Sequence, residues 1–313
     1  MRRRALACAV LLVLGFGLGS AVLAQRYFRE GSFPARYAPR DMPDSSFIFC
    51  RLAYRSVRME QSGIGWQTDY PYAEINLMTR LAELTRTRIS RDAENAPTHY
   101  VVRPTDDAMF NCPFVMASDP GTIGFTDAEV ERLRLYLLKG GFLWVDDFWG
   151  TPAWTQWSSE IARVLPPDQF PIADVSLSDP LLNAQYHLRV VPQISNFQFW
   201  RRSGGRLTSE RGADSDTVHL RAIRDTNGRI MVLMTHNTDV ADSWEREGED
   251  PGFFEQYSPN GHEIRHVGQQ IQDDDQSGAE RQGQRDVAVR VFDFARGEGD
   301  VVPRVRREER SGL

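Results

Sequence analysis

Lysine and cysteine are scarce in this chain of 313 residues, and a continuous stripe of basic residues is absent from the sequence. Lys139 is the only lysine, and the arginines that supply the other basic charges form no continuous stripe. The formal net charge is −6. Nucleic-acid-binding domains usually carry a clustered basic surface, so we expect no nucleic-acid partner.

Only two cysteines follow the N-terminal segment, Cys50 and Cys112. Both lie in short apolar stretches, FIFCRLAY and NCPFVMAS. Free cysteine in an apolar setting usually behaves as a small buried hydrophobic residue, so the sequence favours two free thiols. An oxidising compartment would also allow the two residues to form a disulfide.

The chain lacks two further signatures of chemistry. It contains no GxSxG motif, which excludes the serine elbow of α/β-hydrolases. His236 is close in sequence to Asp239 and Asp242, but one histidine without a second is weak spacing for a metal site. We therefore expect no metal and no cofactor.

Residues 1–24 have the pattern of a targeting segment. Three arginines, Arg2 to Arg4, precede an uncharged apolar run that ends in Val22-Leu23-Ala24, as in a cleaved secretory signal peptide. An uncleaved membrane anchor is the alternative, because about 20 apolar residues can span a bilayer. In both cases we expect an exported protein of the periplasm or cell envelope.

The remaining chain divides into a linker at 25–44, a domain at 45–260 and a tail at 261–313 that we expect to be largely disordered or divergent. Strand signals at 46–54, 99–104, 114–118 and 142–147 alternate with helix signals at 75–84 and 126–141. Such alternation predicts an α/β fold with a mostly parallel sheet and helices on both faces. Asn227-Gly228, between two β-rich runs, predicts an added antiparallel hairpin.

Ligands of open parallel sheets bind beyond the carboxyl ends of the strands, and polar residues collect there in this sequence. Nine residues are the predicted ligand-binding set: Arg55, Trp66, Asp69, Asp146, Asp147, Trp149, His236, Asn237 and Asp239. Asp146, Asp147 and His236 are also the candidates for acid/base catalysis, because carboxylates and imidazoles exchange protons near neutral pH.

Several of these residues have structural alternatives. Asp69 lies two residues before Pro71 and could cap a helix. One of Asp146 and Asp147 should turn inward to bond loop amides, while the other faces the crevice. Trp149 and Trp154 are expected in the loop after the fourth strand, where tryptophan serves as a core or loop anchor more often than as a sugar platform.

Longer segments carry a resemblance to a known family. The runs WQTDYPYAEINLMTRLAELT, LRLYLLKGGFLWVDDFWG and GRIMVLMTHNTDVADSWEREGED resemble the bacterial envelope family called domain of unknown function 4159. The resemblance implies a class I glutamine amidotransferase-like, flavodoxin-like fold, with no established activity. Catalytic relatives carry a nucleophilic cysteine after the Gly-Gly helix end, where this chain has Asp146-Asp147. Cysteine-based amide hydrolysis is therefore excluded, since a carboxylate does not replace a thiolate.

Three functions remain. The leading hypothesis is an envelope-associated binding or interaction domain that holds a polar ligand, a glycan or a peptide, in the crevice. The alternatives are a periplasmic hydrolase that uses carboxylate or His236 acid/base chemistry, and a structural part of an envelope complex that contacts other envelope proteins.

Overall fold

The computed structural model describes residues 33–42, 46–84, 87–179, 182, 190–246 and 248–257. The predicted signal segment, half of the predicted linker and the predicted tail lie outside these residues. Within the described part of the chain, no helix is both long enough and apolar enough to cross a membrane.

Seven strands form one sheet. They are β1 (Phe49–Leu52), β2 (His99–Val102), β3 (Phe114–Ser118), β4 (Leu143–Phe148), β5 (Ile172–Asp174), β6 (His219–Arg224) and β7 (Ile230–His236). Their order across the sheet is β2-β1-β3-β4-β7-β6-β5. The first five strands in this order are parallel. At the edge, β6 pairs antiparallel with β7, and β5 pairs antiparallel with β6. The predicted mostly parallel sheet is confirmed, as is the hairpin at Asn227-Gly228, which connects β6 to β7.

The helices are α1 (Tyr72–Leu84), α2 (Asp127–Leu138), α3 (Gly150–Val164), α4 (Phe197–Ser203), α5 (Asp242–Glu245) and α6 (Pro251–Tyr257). The predicted capping box of α2 is confirmed: Thr126 accepts a hydrogen bond from the backbone of Glu129, whose side chain accepts one from the backbone of Thr126. Helix α3 was not predicted. Trp154, which we expected in a loop, lies within this helix.

Alternate residues of the central strands pack into two separate apolar clusters, as the two-residue period of a strand requires. Cys50 of β1 and Val145 of β4 belong to the cluster covered by α2 and α3. Phe49 of β1 and Trp144 of β4 pack on the other side, in the cluster that includes Met78 of α1. The sheet therefore has a helical layer on each face, and its carboxyl edge lies between the two layers.

Cys50 and Cys112 form a disulfide, which corrects the expectation of free thiols. Cys50 lies on β1 and Cys112 lies just before β3, and these two strands are neighbours in the sheet. The predicted apolar surroundings of the two cysteines are confirmed, because both residues are buried in the cluster under α2 and α3. The pairing depends on the strand order, which brings the two Cα atoms to 6.0 Å.

Replacing both cysteines by alanine is expected to lower the free energy of unfolding by about 2–4 kcal/mol, because the bond closes a long loop in the unfolded chain. The two cysteines are separated by 62 positions in the sequence. Urea unfolding of the oxidised wild type and of the double variant measures the difference. A loss of less than about 1 kcal/mol would contradict a stabilising role for the bond.

Candidate functional site

The carboxyl ends of β1, β3, β4 and β7 lie along one edge of the sheet, because these strands are parallel. At this edge the backbone leaves regular strand geometry at acidic residues. Asp69, Asp119 and Asp147 each have a positive φ, at 66°, 51° and 56°. Such a backbone is uncommon for residues other than glycine, and the β4–β7 register shifts between Val145 and Phe148. Carboxylates from three separate segments therefore occupy sharp turns at the same edge.

Asp146 is the inward-facing member of the Asp146-Asp147 pair. Its side chain is fully buried. It accepts hydrogen bonds from the Thr235 hydroxyl and from the backbone N–H of Ala241, the latter at 2.8 Å. Burial raises the pKa of Asp146 to about 7, although these hydrogen bonds lower it. Its contacts tie the end of β4 to β7 and to the loop after β7, which is a structural role.

Asp147 is partly exposed and faces a surface depression. Its Oδ1 atom accepts a hydrogen bond of 2.8 Å from the indole Nε1 of Trp149. Burial of the carboxyl group and the nearby charges of Asp69, Glu210 and Asp119 raise the pKa of Asp147 well above its usual range. This carboxylate is therefore held in place by the indole but is not neutralised by it.

The depression that Asp147 faces has a volume of about 240 Å³, including space open to solvent. Its lining comes from the loop after β1, the turn after β3, the end of β4 and the segments on either side of α4: Glu60, Gln61, Ser62, Gly63, Asp119, Asp147, Trp149, Asn196, Glu210 and Arg211. Four of these side chains are carboxylates and one is a guanidinium. The enclosed part of the depression is only about 10 Å³, close to the room that one water molecule needs, so it suits a single small chemical group.

Two of the carboxylates in the depression are already paired with arginine. Arg211 lies 3.2 Å from Glu210 Oε2 and 3.5 Å from Glu60 Oε2, and Arg58 also pairs with Glu60. Asp119 has no such partner among the described residues and accepts its hydrogen bond from the backbone N–H of Gly65, at 3.0 Å. Burial raises its pKa to about 7. Asp119 and Asp147 are thus the uncompensated acids of the depression.

Asp69 lies behind the depression and is buried. The Ser118 hydroxyl donates to its Oδ2 atom at 2.9 Å, and the same Ser118 oxygen accepts a bond of 2.5 Å from Arg51 Nη1. Burial first, and then the neighbouring Asp242, raise the pKa of Asp69 to about 8. The side chain is therefore part of a buried polar network around Ser118, and helix capping does not account for its position.

Arg51 is the buried cation nearest to this network. Its Nε atom lies 2.5 Å from Oε1 of Glu74, and both side chains are completely buried. Glu74 neutralises Arg51, since the two side chains form a direct ion pair. The acids at the edge of the sheet remain in excess over the bases that could neutralise them.

Asn237 and Asp239 follow β7 and have different roles. Asn237 accepts a hydrogen bond of 2.8 Å from Gly150 N and donates one of 2.7 Å to Thr217 O. It therefore fixes the start of α3 and does not face the depression. Asp239 is buried, and its Oδ1 atom accepts a hydrogen bond of 3.0 Å from the backbone N–H of Asp242.

His236 is not brought together with the carboxylates. Its ring stacks on His219 and makes tilted contacts with Phe148 and Trp154, and its Nε2 atom lies 3.2 Å from the carbonyl oxygen of Gly150. Thr235, the preceding residue, is the one that contacts Asp146, and successive side chains of a strand point to opposite faces. Burial lowers the pKa of His236 to about 4, which leaves a neutral imidazole. The expected Asp-oriented catalytic histidine is therefore not formed.

Of Trp66, Trp149 and Arg55, only Trp149 lines the acidic depression. Trp66 is half-buried and makes an edge contact with Tyr70, whereas Trp149 is buried and its indole contacts Asp147. Arg55 is exposed. None of the tryptophans in the described part of the chain is exposed, so an exposed aromatic sugar platform is not present among those residues.

The predicted set of nine ligand-binding residues omitted Asp119, Glu60, Glu210 and Arg211. Asp119 had a sequence signal, because it directly follows a predicted strand. In the structure it lies against Gly63, where a Cβ atom on Gly63 would be only 2.4 Å from Asp119 Oδ2. Glu210 and Arg211 had none. They lie in an irregular segment after α4, far in sequence from any parallel strand.

Comparison with known proteins gives one match. The family described as Domain of unknown function (DUF4159) matches residues 49–265, more than half of the chain. The chain belongs to the DUF4159 family. The match confirms the resemblance seen in the sequence and includes every residue of the depression. A search of curated proteins found no match.

Proposed function

We propose that this DUF4159 domain is a binding module of the cell envelope that holds a positively charged group of a polar ligand, the free amine of a peptide, in the acidic depression. One observation carries the proposal. Asp119 and Asp147 face the depression without a basic partner among the described residues. An ammonium group placed between them would donate charge-assisted hydrogen bonds to both carboxylates.

The size and lining of the depression favour an amine over a neutral sugar. The enclosed part of the depression, about 10 Å³, has room for one small group such as an ammonium. Sugar recognition by stacking would need exposed aromatic rings, and Trp149, the aromatic residue of the lining, is only 3% exposed. A lysine-like amine needs only acceptors, which the lining supplies.

The strand order supports a flavodoxin-like fold of the amidotransferase-like class. The five parallel strands have the order 2-1-3-4-5 when they are counted along the chain. In folds of this order, ligands bind where the chain reverses direction across the sheet, between the first and third strands. Asp119 and the loop at Glu60–Gly63 follow those two strands, so the depression lies where this fold class binds its ligands.

The proposed location outside the cytoplasm has two supports. The first is the pattern of an arginine cluster and an apolar run at residues 1–24. The second is the Cys50–Cys112 disulfide, because disulfides persist mainly in oxidising compartments such as the periplasm.

A hydrolase is the second candidate, and one observation favours it. The pKa values of Asp119 and Asp147 are both raised by burial, that of Asp119 to about 7. Carboxyl groups with raised pKa values in a cleft are typical of general acids and bases. Binding and hydrolysis make different predictions, because only a hydrolase converts the bound peptide to products.

The test is a titration with two matched peptides, both blocked at their termini and measured with EDTA present. One is Ala-Lys-Ala with a free lysine amine, and the other has the amine acetylated. We expect acetylation to weaken binding at least tenfold, since a charge-assisted hydrogen bond contributes about 1.5–3 kcal/mol. Equal affinities, no binding of either peptide, or binding of a neutral chitin oligosaccharide alone would contradict the proposal. Mass spectrometry of the recovered peptides detects hydrolysis.

A further inference from the structure

A second group of acids lies behind the depression, and it divides into two overlapping sets. Asp69, Asp147 and Asp239 form one set, and Asp69, Asp242 and Glu245 form the other. Within each set, one carboxylate oxygen per residue lies within 4.8 Å of the others. Unscreened carboxylates at this spacing repel one another strongly when ionised, so each set requires protons or a cation.

The set with Asp242 and Glu245 already has its cation. The guanidinium Nε of Arg246 lies 2.7 Å from Glu245 Oε2 and 3.5 Å from Asp242 Oδ1. In contrast, none of Asp69, Asp147 and Asp239 forms a direct ion pair with an arginine, lysine or histidine among the described residues. The two sets thus differ in whether an arginine already neutralises their carboxylates.

Asp239 gives an independent sign of a ligand. Its carboxyl group is 1% exposed, and while Oδ1 accepts the backbone N–H of Asp242, Oδ2 accepts no hydrogen bond from the described residues. A buried carboxylate oxygen without a donor is costly. Asp239 belongs to the set that lacks an arginine, so the missing partner of its Oδ2 atom is expected beside Asp69 and Asp147.

We propose that Asp69, Asp147 and Asp239 bind a hard divalent cation, with Ca²⁺ as the best fit. All three ligands are carboxylates, which hard cations prefer and soft metals do not. A mutual spacing within 4.8 Å is compatible with ligands on opposite sides of Ca²⁺, whose bonds to oxygen are about 2.3–2.6 Å long. This site goes beyond the proposed amine binding, with which it shares only Asp147.

Hydrogen bonds already orient two of the ligands. Ser118 holds Asp69, and the indole of Trp149 holds Asp147 at 2.8 Å.

The test uses the chain without the predicted signal segment. Bound metal is removed with EDTA, the EDTA is then removed, and no peptide is added. Thermal unfolding is followed at pH 8 with calcium chloride, with magnesium chloride and with sodium chloride at matched ionic strength. We expect Ca²⁺ to raise the melting temperature by several degrees. Terbium, a Ca²⁺ substitute that emits when a nearby tryptophan is excited, reports whether the ion lies beside Trp149.

Two variants locate the site. Asp239→Asn keeps an oxygen for the Asp242 N–H, so we expect it to fold and to weaken Ca²⁺ binding at least about tenfold. Glu245→Gln changes the set that Arg246 already neutralises, and it should bind Ca²⁺ as the wild type does. The proposal is overturned if neither divalent cation stabilises the protein, or if stabilisation and terbium emission survive in Asp239→Asn. Because the peptide titration contains EDTA and this one contains no peptide, either proposal can fail alone.

Discussion

Without a bound cation, the domain is expected to lose stability as the pH rises from 5 to 8.5. The buried acids at the edge of the sheet have folded-state pKa values raised above the usual value of 3.8: Asp119 and Asp146 to about 7, and Asp69 to about 8. A group with a raised folded-state pKa contributes stability below its unfolded pKa and loses that contribution as the pH passes the folded pKa. The loss should therefore fall between about pH 4 and pH 8.

The melting temperature is expected to fall by several degrees or more between pH 5 and pH 8.5 in EDTA, since three buried acids ionise in this range and 1 kcal/mol shifts a domain of this size by about 2–4 °C. Differential scanning calorimetry at several pH values measures it. Asp69→Asn is the control, because the amide can still accept from Ser118 but does not ionise, and its melting temperature should depend less on pH. A wild-type melting temperature that rises over this pH range would show that the acids are not buried as described.

Replacing Arg51 by methionine is expected to destabilise the domain by about 3–5 kcal/mol, the usual cost of leaving one charge of a buried ion pair uncompensated. Arg51 and Glu74 are both completely buried, and Arg51 also donates to Ser118. The substitution would leave the Glu74 carboxylate without its partner, close to an edge that already has an excess of acids. Urea unfolding at pH 7 measures the loss.

Two further variants test the reason for this loss. Replacing Arg51 and Glu74 together by methionine removes both buried charges and should recover much of the stability. Arg80→Met removes an exposed pair with Glu83 on α1 and should cost less than about 1 kcal/mol. If Arg51→Met is no worse than Arg80→Met, the buried pair is not a central element of the fold.

The parts of the fold that depend on local pattern could be predicted from the sequence. The capping box at Thr126, the turn at Asn227-Gly228 and the short apolar strands are all encoded by neighbouring residues. Helix α3 was missed because its first turns contain Gly150, Pro152 and two aromatic residues, which are typical of a loop. Proline in the first turn of a helix is tolerated, since its missing N–H has no partner there in any case.

The parts that depend on strand order could not be predicted. The Cys50–Cys112 bond requires β1 and β3 to be neighbours, which neither cysteine's surroundings reveal. The position of His236 was predictable, because the two-residue period of β7 places it on the opposite face from Thr235. Glu210 reaches the depression from an irregular segment without any periodic signal, and Asp239 is buried by packing that no local pattern specifies.

The central claim is that Asp147 binds ligand whereas Asp146 holds the structure together. The most direct measurement is the melting temperature and the affinity for blocked Ala-Lys-Ala, in EDTA, of Asp146→Asn and Asp147→Asn, with the exposed Asp168→Asn as control. We expect Asp147→Asn to weaken binding at least tenfold with an unchanged or higher melting temperature, because it relieves repulsion from Asp69 and Asp119. Asp146→Asn should melt lower. An Asp147→Asn protein that melts several degrees lower and binds the peptide like the wild type would contradict the account.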